Sequence, residues 1–239
     1  MVSIITCTIR QKCLDNIFQN YNRQTWEDKE LIIIINKDEM DIEIWNNKAQ
    51  AYPNVSVYQL PESVTLGECI NFGAQKAKHD YVAKFDDDDY YSPYYLKQSM
   101  KAFEETDASV VGKTTIYMFF KKQKLLTSFN LNKFGGALAN NESKYNNNLL
   151  MGGTLIIKKN VFNKVQFAKT NIAEDADFCL TCINNGYTLF STTKENYVYL
   201  RSGEPSDHTW KTKNDTLLKF CNIIVNTDHF EPFITKVYE

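Results

Sequence analysis

Residues 31–35 read Leu-Ile-Ile-Ile-Ile. A strand with no polar side must be covered on both faces, which is the situation at the centre of a parallel sheet. Parallel neighbours need long crossover connections, usually helices. The chain supplies them. Residues 2–7 are an apolar strand, and Leu14, Ile17, Phe18 and Tyr21 follow at helical spacing. A helix over 41–51, a strand over 55–60, a helix marked by Leu66, Ile70, Gly73, Ala74 and Ala77, and a strand over 81–85 complete the order βαβαβαβ. That order predicts an α/β fold with a Rossmann-like, mostly parallel central sheet and helices on both faces.

The second half predicts a smaller mixed β region. Residues 94–103 read as a helix, 109–120 and 125–129 as a hairpin around the turn Lys-Lys-Gln-Lys, and 130–148 as a polar loop. A strand over 152–158, a helix over 174–185 closed by Gly186, strands over 187–192 and 196–200, and a final helix carrying Leu217, Leu218, Cys221, Ile224 and Val225 follow. No repeat or linker interrupts 1–239, which reads as one domain with halves 1–105 and 106–239.

The strand at 81–85 runs into four consecutive carboxylates, Asp86 to Asp89. Like charges this close repel, and each prefers water. Ligands of doubly wound sheets bind beyond the carboxyl ends of the strands, where this run lies. Two readings stand on the residues alone. One is a solvated acidic turn. The other is a cation site, since Mg²⁺ and Mn²⁺ take carboxylate oxygens together with substrate phosphates.

The 239 residues carry a net charge of −2, so no basic field points to a nucleic-acid partner. The opening MVSIITCTIR lacks the pattern of a signal peptide, and no apolar run is long enough for a transmembrane segment. The expected compartment is the cytoplasm. There the six cysteines are expected as free thiols, with Cys179 and Cys182 sharing one helix face.

The chain resembles the glycosyltransferases of family 2 over roughly residues 1–200. The resemblance is carried, in order, by VSIITCTIR, ELIIIINKDE, LGECINFGAQKAKHDYV, AKFDDDDYYSP, MGGTLIIKKNVF and EDADFCLTCINNGYTL. It implies the GT-A fold, with 1–105 as the nucleotide-binding half and 106–239 as the acceptor-binding half. It also implies an inverting transfer from a nucleotide-diphosphate sugar, a UDP-sugar foremost, to a carbohydrate or other hydroxyl acceptor, assisted by Mn²⁺ or Mg²⁺.

Matched by position, Asp88 is the implied metal ligand, with Asp86 and Asp87 on nucleotide or metal-bound water. Thr6, Thr8 and Arg10 lie where the family holds the nucleoside. Asn36 stands where the family usually has a base-reading Asp, with Asp38 as a substitute. Asn71 lies where a phosphate or base contact is expected, but Ile70 stands in place of the Arg that often precedes it. His208 is a candidate further metal ligand, and Arg201 and Lys211 are candidate diphosphate contacts. Glu174 and Asp175 head a helix, where acidic residues are favoured by the dipole alone. The resemblance adds a role, with Asp175 as the general base and Glu174 orienting acceptor or substrate. Two alternatives remain. One is a noncatalytic nucleotide- or sugar-binding module, which Asn36 and Ile70 keep open. The other is a nucleotidyltransferase, against which the absence of Gly in TCTIRQK argues. Tyr90, Tyr91, Tyr94 and Tyr95 are expected as packing residues before sugar platforms.

Overall fold

A computed structural model describes residues 1–134, 142–203 and 209–239. The expected alternation opens the chain: β1 (Val2–Thr8), α1 (Leu14–Arg23), β2 (Lys29–Ile35), α2 (Ile42–Ala49), β3 (Val55–Gln59), α3 (Leu66–Lys76) and β4 (Tyr81–Lys84). Then come β5 (Tyr90–Tyr91), α4 (Tyr95–Glu105), β6 (Val110–Lys113), β7 (Thr115–Phe120), β8 (Leu125–Asn130) and α5 (Leu131–Phe134). The remainder holds β9 (Lys144–Asn146), β10 (Ile156–Lys158), α6 (Glu174–Asn184), β11 (Leu189–Thr192), β12 (Tyr197–Arg201), α7 (Asn214–Leu218), β13 (Cys221–Asn226) and α8 (Glu231–Ile234).

The larger sheet has the order β3-β2-β1-β4-β10-β6-β11-β9. Its first four strands are parallel, with Ile4 of β1 opposite Leu31 of β2 and Ala83 of β4. β10 enters antiparallel between β4 and β6. The pleat sends alternate side chains to opposite faces. Ile33 and Ile35 pack with Phe18, Trp45 and Met100, on the side of α1, α2 and α4. Ile32 and Ile34 pack with Cys69 and Ala74 of α3. On that face further along, Ile70 meets Phe178, Cys179 and Cys182 of α6. Helices therefore cover both faces, as the all-apolar run requires.

The smaller sheet has the order β13-β8-β7-β12-β5. Three expectations change here. The run expected as one strand over 109–120 breaks at Thr114, whose hydroxyl and amide engage Ser191 Oγ, each at 2.9 Å. β6 thus stays in the large sheet while β7 starts the small one. The expected helix through Val225 stops at Leu218, and 221–226 is an edge strand antiparallel to β8. The region expected as a loop over 130–148 contains α5 and β9, with 135–141 outside the described residues. The hairpin holds, closed by a 3-10 turn at Lys121–Gln123 with Lys124 at φ 50°.

The acidic run is the crossing between the sheets. β4 enters it from the large sheet, and β5 leaves it paired with β12 of the small one.

Candidate active site

The four aspartates divide by direction. Asp87 and Asp89 are buried, while Asp86 and Asp88 are half-buried. Asp89 accepts the Tyr197 hydroxyl (2.5 Å) and the Leu200 amide (3.0 Å), so it anchors the turn to β12. Burial first, then the charges of Asp88 and Asp86, push its proton affinity well up. Asp87 accepts the Thr8 hydroxyl (2.6 Å) and is bracketed by Arg10, whose Nε lies 3.1 Å away and whose Nη2 pairs with Oδ1. Burial raises Asp87, opposed by Arg10 and Thr8. Arg10 also donates from Nη1 to Asp88 Oδ2 at 3.0 Å. The backbone of the turn is clamped by α1. Asn16 Nδ2 donates to the carbonyls of Asp87 (2.8 Å) and Asp89 (2.9 Å), and Asn20 Nδ2 donates to Asp89 (2.8 Å).

Asp86 faces the second acidic cluster. Lys84, buried at the end of β4, donates to its Oδ1 at 2.5 Å. Desolvation alone would lower the proton affinity of this ammonium. The carboxylates of Asp86, Glu174 and Asp175 outweigh that and hold it charged above its usual range. Glu174 is buried, and its carboxyl is pushed up to about 7. Desolvation is the main cause, opposed by Lys84 and reinforced by Asp175. A 3-10 turn at Gly152–Thr154 runs between these groups. A Cβ on Gly153 would fall 2.7 Å from Asp86 Oδ2 and from the Tyr197 hydroxyl. One on Gly152 would collide with the Asp175 carboxylate. Two adjacent bare residues thus take one carboxylate each, Gly152 facing Asp175 and Gly153 facing Asp86. The Tyr91 hydroxyl locks this arrangement, donating to Gly153 O (2.6 Å) and accepting from the Asp86 amide (2.7 Å).

Openings flank the turn. A cleft of about 290 Å³ is lined by Arg10, Lys12, Asn16, Asp88, Lys121 and Ser202 among others. A smaller pocket of about 20 Å³ is lined by Ile5, Cys7, Leu66, Ile70, Lys84, Phe85 and Asp86. Asp86 and Asp88 offer hard oxygen donors from a fixed turn. Among the described residues no set of three or more His, Cys, Asp and Glu is placed to hold an ion. Asp88 lines the larger cleft and Asp86 the smaller pocket, and Mg²⁺ or Mn²⁺ commonly takes one or two carboxylates and completes the shell with phosphate oxygens and water.

The sequence-expected residues thus fall into groups. Thr8, Arg10, Asp87 and Asp88 form one contact set, and Asp86 pairs with Lys84, whose charge also acts on Glu174 and Asp175. Thr6 is buried in β1. Asn36 and Asp38 are engaged with the neighbouring loop: Asn36 Nδ2 donates to Pro61 O (2.7 Å), and Asp38 accepts the Glu62 amide (3.2 Å). Asn71 is spent on the backbone of Phe167, donating to its carbonyl and accepting its amide, each at 2.9 Å. Arg201 is fully buried and spends its guanidinium on Asn214, Trp210 O and Thr212 O. His208 lies outside the described residues. Tyr91 and Tyr95 are core, and Tyr91 stacks on Phe85 at 3.7 Å. Lys84, Asn16, Asn20 and the Gly152–Gly153 pair were not singled out from sequence. Lys84 left one trace there, a cation among the apolar residues of a buried strand.

The family model described as Glycosyl transferase family 2 matches residues 3–166. No curated protein matches the chain. Among solved structures, TarS 1–349 of S. aureus in complex with UDP-GlcNAc is 18% identical, with a TM-score of 0.62 over 84% of this chain and 58% of that one. The mannosyltransferase PcManGT from Pyrobaculum calidifontis, in complex with GDP-Man and Mn²⁺, is 15% identical, with a TM-score of 0.64 over 84% of this chain and 56% of that one. At these identities the likeness shows the shared GT-A fold. The chain spans less than two thirds of the length of either structure. Among the described residues, no helix is long and apolar enough to cross a membrane.

Proposed function

The chain belongs to glycosyl transferase family 2, and we propose on that premise that it moves a sugar from a nucleotide diphosphate to an acceptor hydroxyl, with inversion at the sugar C1. The observation that supports this reading is the Gly152–Gly153 turn, against which the donor-side candidate Asp86 and the base candidate Asp175 both pack. Asp175 takes the proton of the acceptor hydroxyl as its oxygen bonds to C1 and the bond from C1 to the diphosphate oxygen breaks. Glu174 orients the acceptor side. Asp88 and Asp86 are the residues that would hold Mn²⁺ or Mg²⁺, whose charge would stabilise the departing diphosphate. Thr8, Arg10 and Asp87 shape the nucleotide side, with Thr6, Asn36, Asp38 and Asn71 as outlying candidates. The UDP-GlcNAc and GDP-Man complexes of the two relatives support a nucleotide-sugar donor. Six free thiols support a reducing, cytoplasmic setting.

The test is calorimetric binding of UDP, GDP, CDP and dTDP, each with and without Mn²⁺, to wild type and Asp88→Ala. The expected result is Mn²⁺-dependent binding of one nucleotide, abolished in the variant. A folded wild type that binds none of the four refutes the reading. In Asp175→Asn, nucleotide affinity holds while turnover falls by about 10²–10⁴, the range for loss of a general base.

A further inference from the structure

Lys84 is a buried charge that the transfer scheme above leaves without a task. Its neighbours Val82, Ala83 and Phe85 are core residues, and the Lys84 side chain is only 7% exposed. A buried ammonium is costly unless it is paired. Here it is paired at 2.5 Å with Asp86, and its field takes in Glu174 and Asp175. These carboxylates come from distant parts of the chain. Asp86 follows β4 in the nucleotide half, and Glu174 and Asp175 open α6, beyond the 3–166 family match. Left to themselves, three acidic groups around one glycine turn would repel and spread.

We propose that Lys84 is a positioning residue for sugar transfer: its buried ammonium holds Asp86 against the glycine turn whose other residue faces Asp175, and so fixes the spacing between the donor-side carboxylate and the base. The inference rests on the transferase reading. Lys84 acts through Asp86, so its loss is expected to reach turnover at saturating donor as well as donor binding. Catalytic geometry is unforgiving, and a misplacement of about 1 Å can cost about 10²-fold in rate.

The experiment compares wild type, Lys84→Met and Lys84→Arg. UDP-GlcNAc and GDP-mannose are the donor probes, and release of the nucleoside diphosphate to water or an added sugar is the readout, beside calorimetric binding of UDP and GDP with Mn²⁺. Lys84→Met is expected to weaken Mn²⁺-dependent binding and, at saturating donor, to turn over about 10²-fold more slowly, with Lys84→Arg recovering at least about tenfold of that loss. Turnover of Lys84→Met within about threefold of wild type overturns the proposal, as does a loss confined to donor KM, which would make Lys84 a donor contact. Binding without release in the wild type also counts against it. A second, substrate-free measurement separates the two readings. If Lys84 offsets Glu174, then Glu174→Gln raises the thermal stability of Lys84→Met by more than it raises that of wild type at the same pH, whereas equal gains overturn the bridge. Should the wild type bind no nucleotide while this coupling appears, the transferase reading fails and the charge bridge stands.

Discussion

Four adjacent carboxylates are tolerated because each has a different environment. Asp89 is the inward anchor, and its partners Tyr197 and Leu200 are both donors. Asp89→Ala orphans two buried donors at about 1–3 kcal/mol each, so a loss of about 2–4 kcal/mol is expected in denaturant unfolding. Asp89→Asn keeps an acceptor for Leu200 and offers an N–H to the Tyr197 oxygen, and is expected to lose under about 1 kcal/mol. Equal losses would mean that the anchor is the charge and not the hydrogen bonds. Glu174 gives a prediction with pH. Its folded-state value lies at about 7, above the ordinary 4.5, because burial disfavours the anion. The folded state therefore holds the proton more tightly than the unfolded chain does. The resulting stability is fully present below about 4.5 and is lost as pH rises through 7. Glu174→Gln mimics the protonated form, so it should match wild type near pH 4.5 and exceed it at pH 8. The gap is on the order of 3 kcal/mol at 1.36 kcal/mol per pH unit. Urea midpoints of the two proteins that stay parallel across that range would contradict this.

At the scale of elements, the glycine turn between β9 and β10 has two faces with separable effects. In Gly152→Ala the new methyl lands on Asp175, so turnover should fall about 10²-fold with nucleotide affinity near wild type. In Gly153→Ala it presses on Asp86 and Tyr197, and Mn²⁺-dependent nucleotide binding should weaken. Calorimetry and rates on both variants check the split, and the reverse pattern would exchange the roles of the two carboxylates. Neither contact was legible in the sequence, because each joins residues more than twenty positions apart. What was legible had a local cause. β2 announced a two-sided parallel sheet because all five of residues 31–35 are apolar, and the Asp run declared itself by position at a strand end. β13 was misread because Leu217, Leu218, Cys221, Ile224 and Val225 fit a helical period. An edge strand with Ile223 and Ile224 exposed shows no clean alternation, and only pairing with β8 decides it. The break between β6 and β7 was hidden because both sides of Thr114 are buried strand, and the cause, Ser191, lies 77 residues away.

At the scale of the molecule, the acidic turn spans two sheets, so its geometry depends on how the sheets are fastened together. The fastening centres on Asn196, just before β12. It is buried and sits in the left-handed region at φ 71°, which Asn tolerates better than other residues with a Cβ. Its carbonyl accepts the Ser92 amide (2.9 Å), and its Oδ1 accepts the Ser92 hydroxyl (2.6 Å) and the Lys236 amide (3.0 Å). Its own amide donates to Ile234 O (2.8 Å), and its Nδ2 to Gln98 (3.3 Å). One side chain thus ties the exit of the acidic turn to the C-terminal segment and to α4. Asn196→Gly removes the side-chain bonds but permits the backbone, whereas Asn196→Ala removes the bonds and adds roughly 1–2 kcal/mol of backbone strain. Both variants should be destabilised, the alanine more, at about 1–3 kcal/mol for each buried group left unpaired. Because the turn belongs to both sheets, the loss should appear as one cooperative unfolding transition in which both sheets melt together. Weaker Mn²⁺-dependent nucleotide binding should accompany it in the folded protein. Thermal unfolding followed by far-ultraviolet dichroism and by aromatic fluorescence distinguishes the outcomes. Coincident transitions, with alanine below glycine, fit a site held by both sheets. A separate early transition of the smaller sheet, with nucleotide binding intact, would show that the large sheet alone holds the acidic turn.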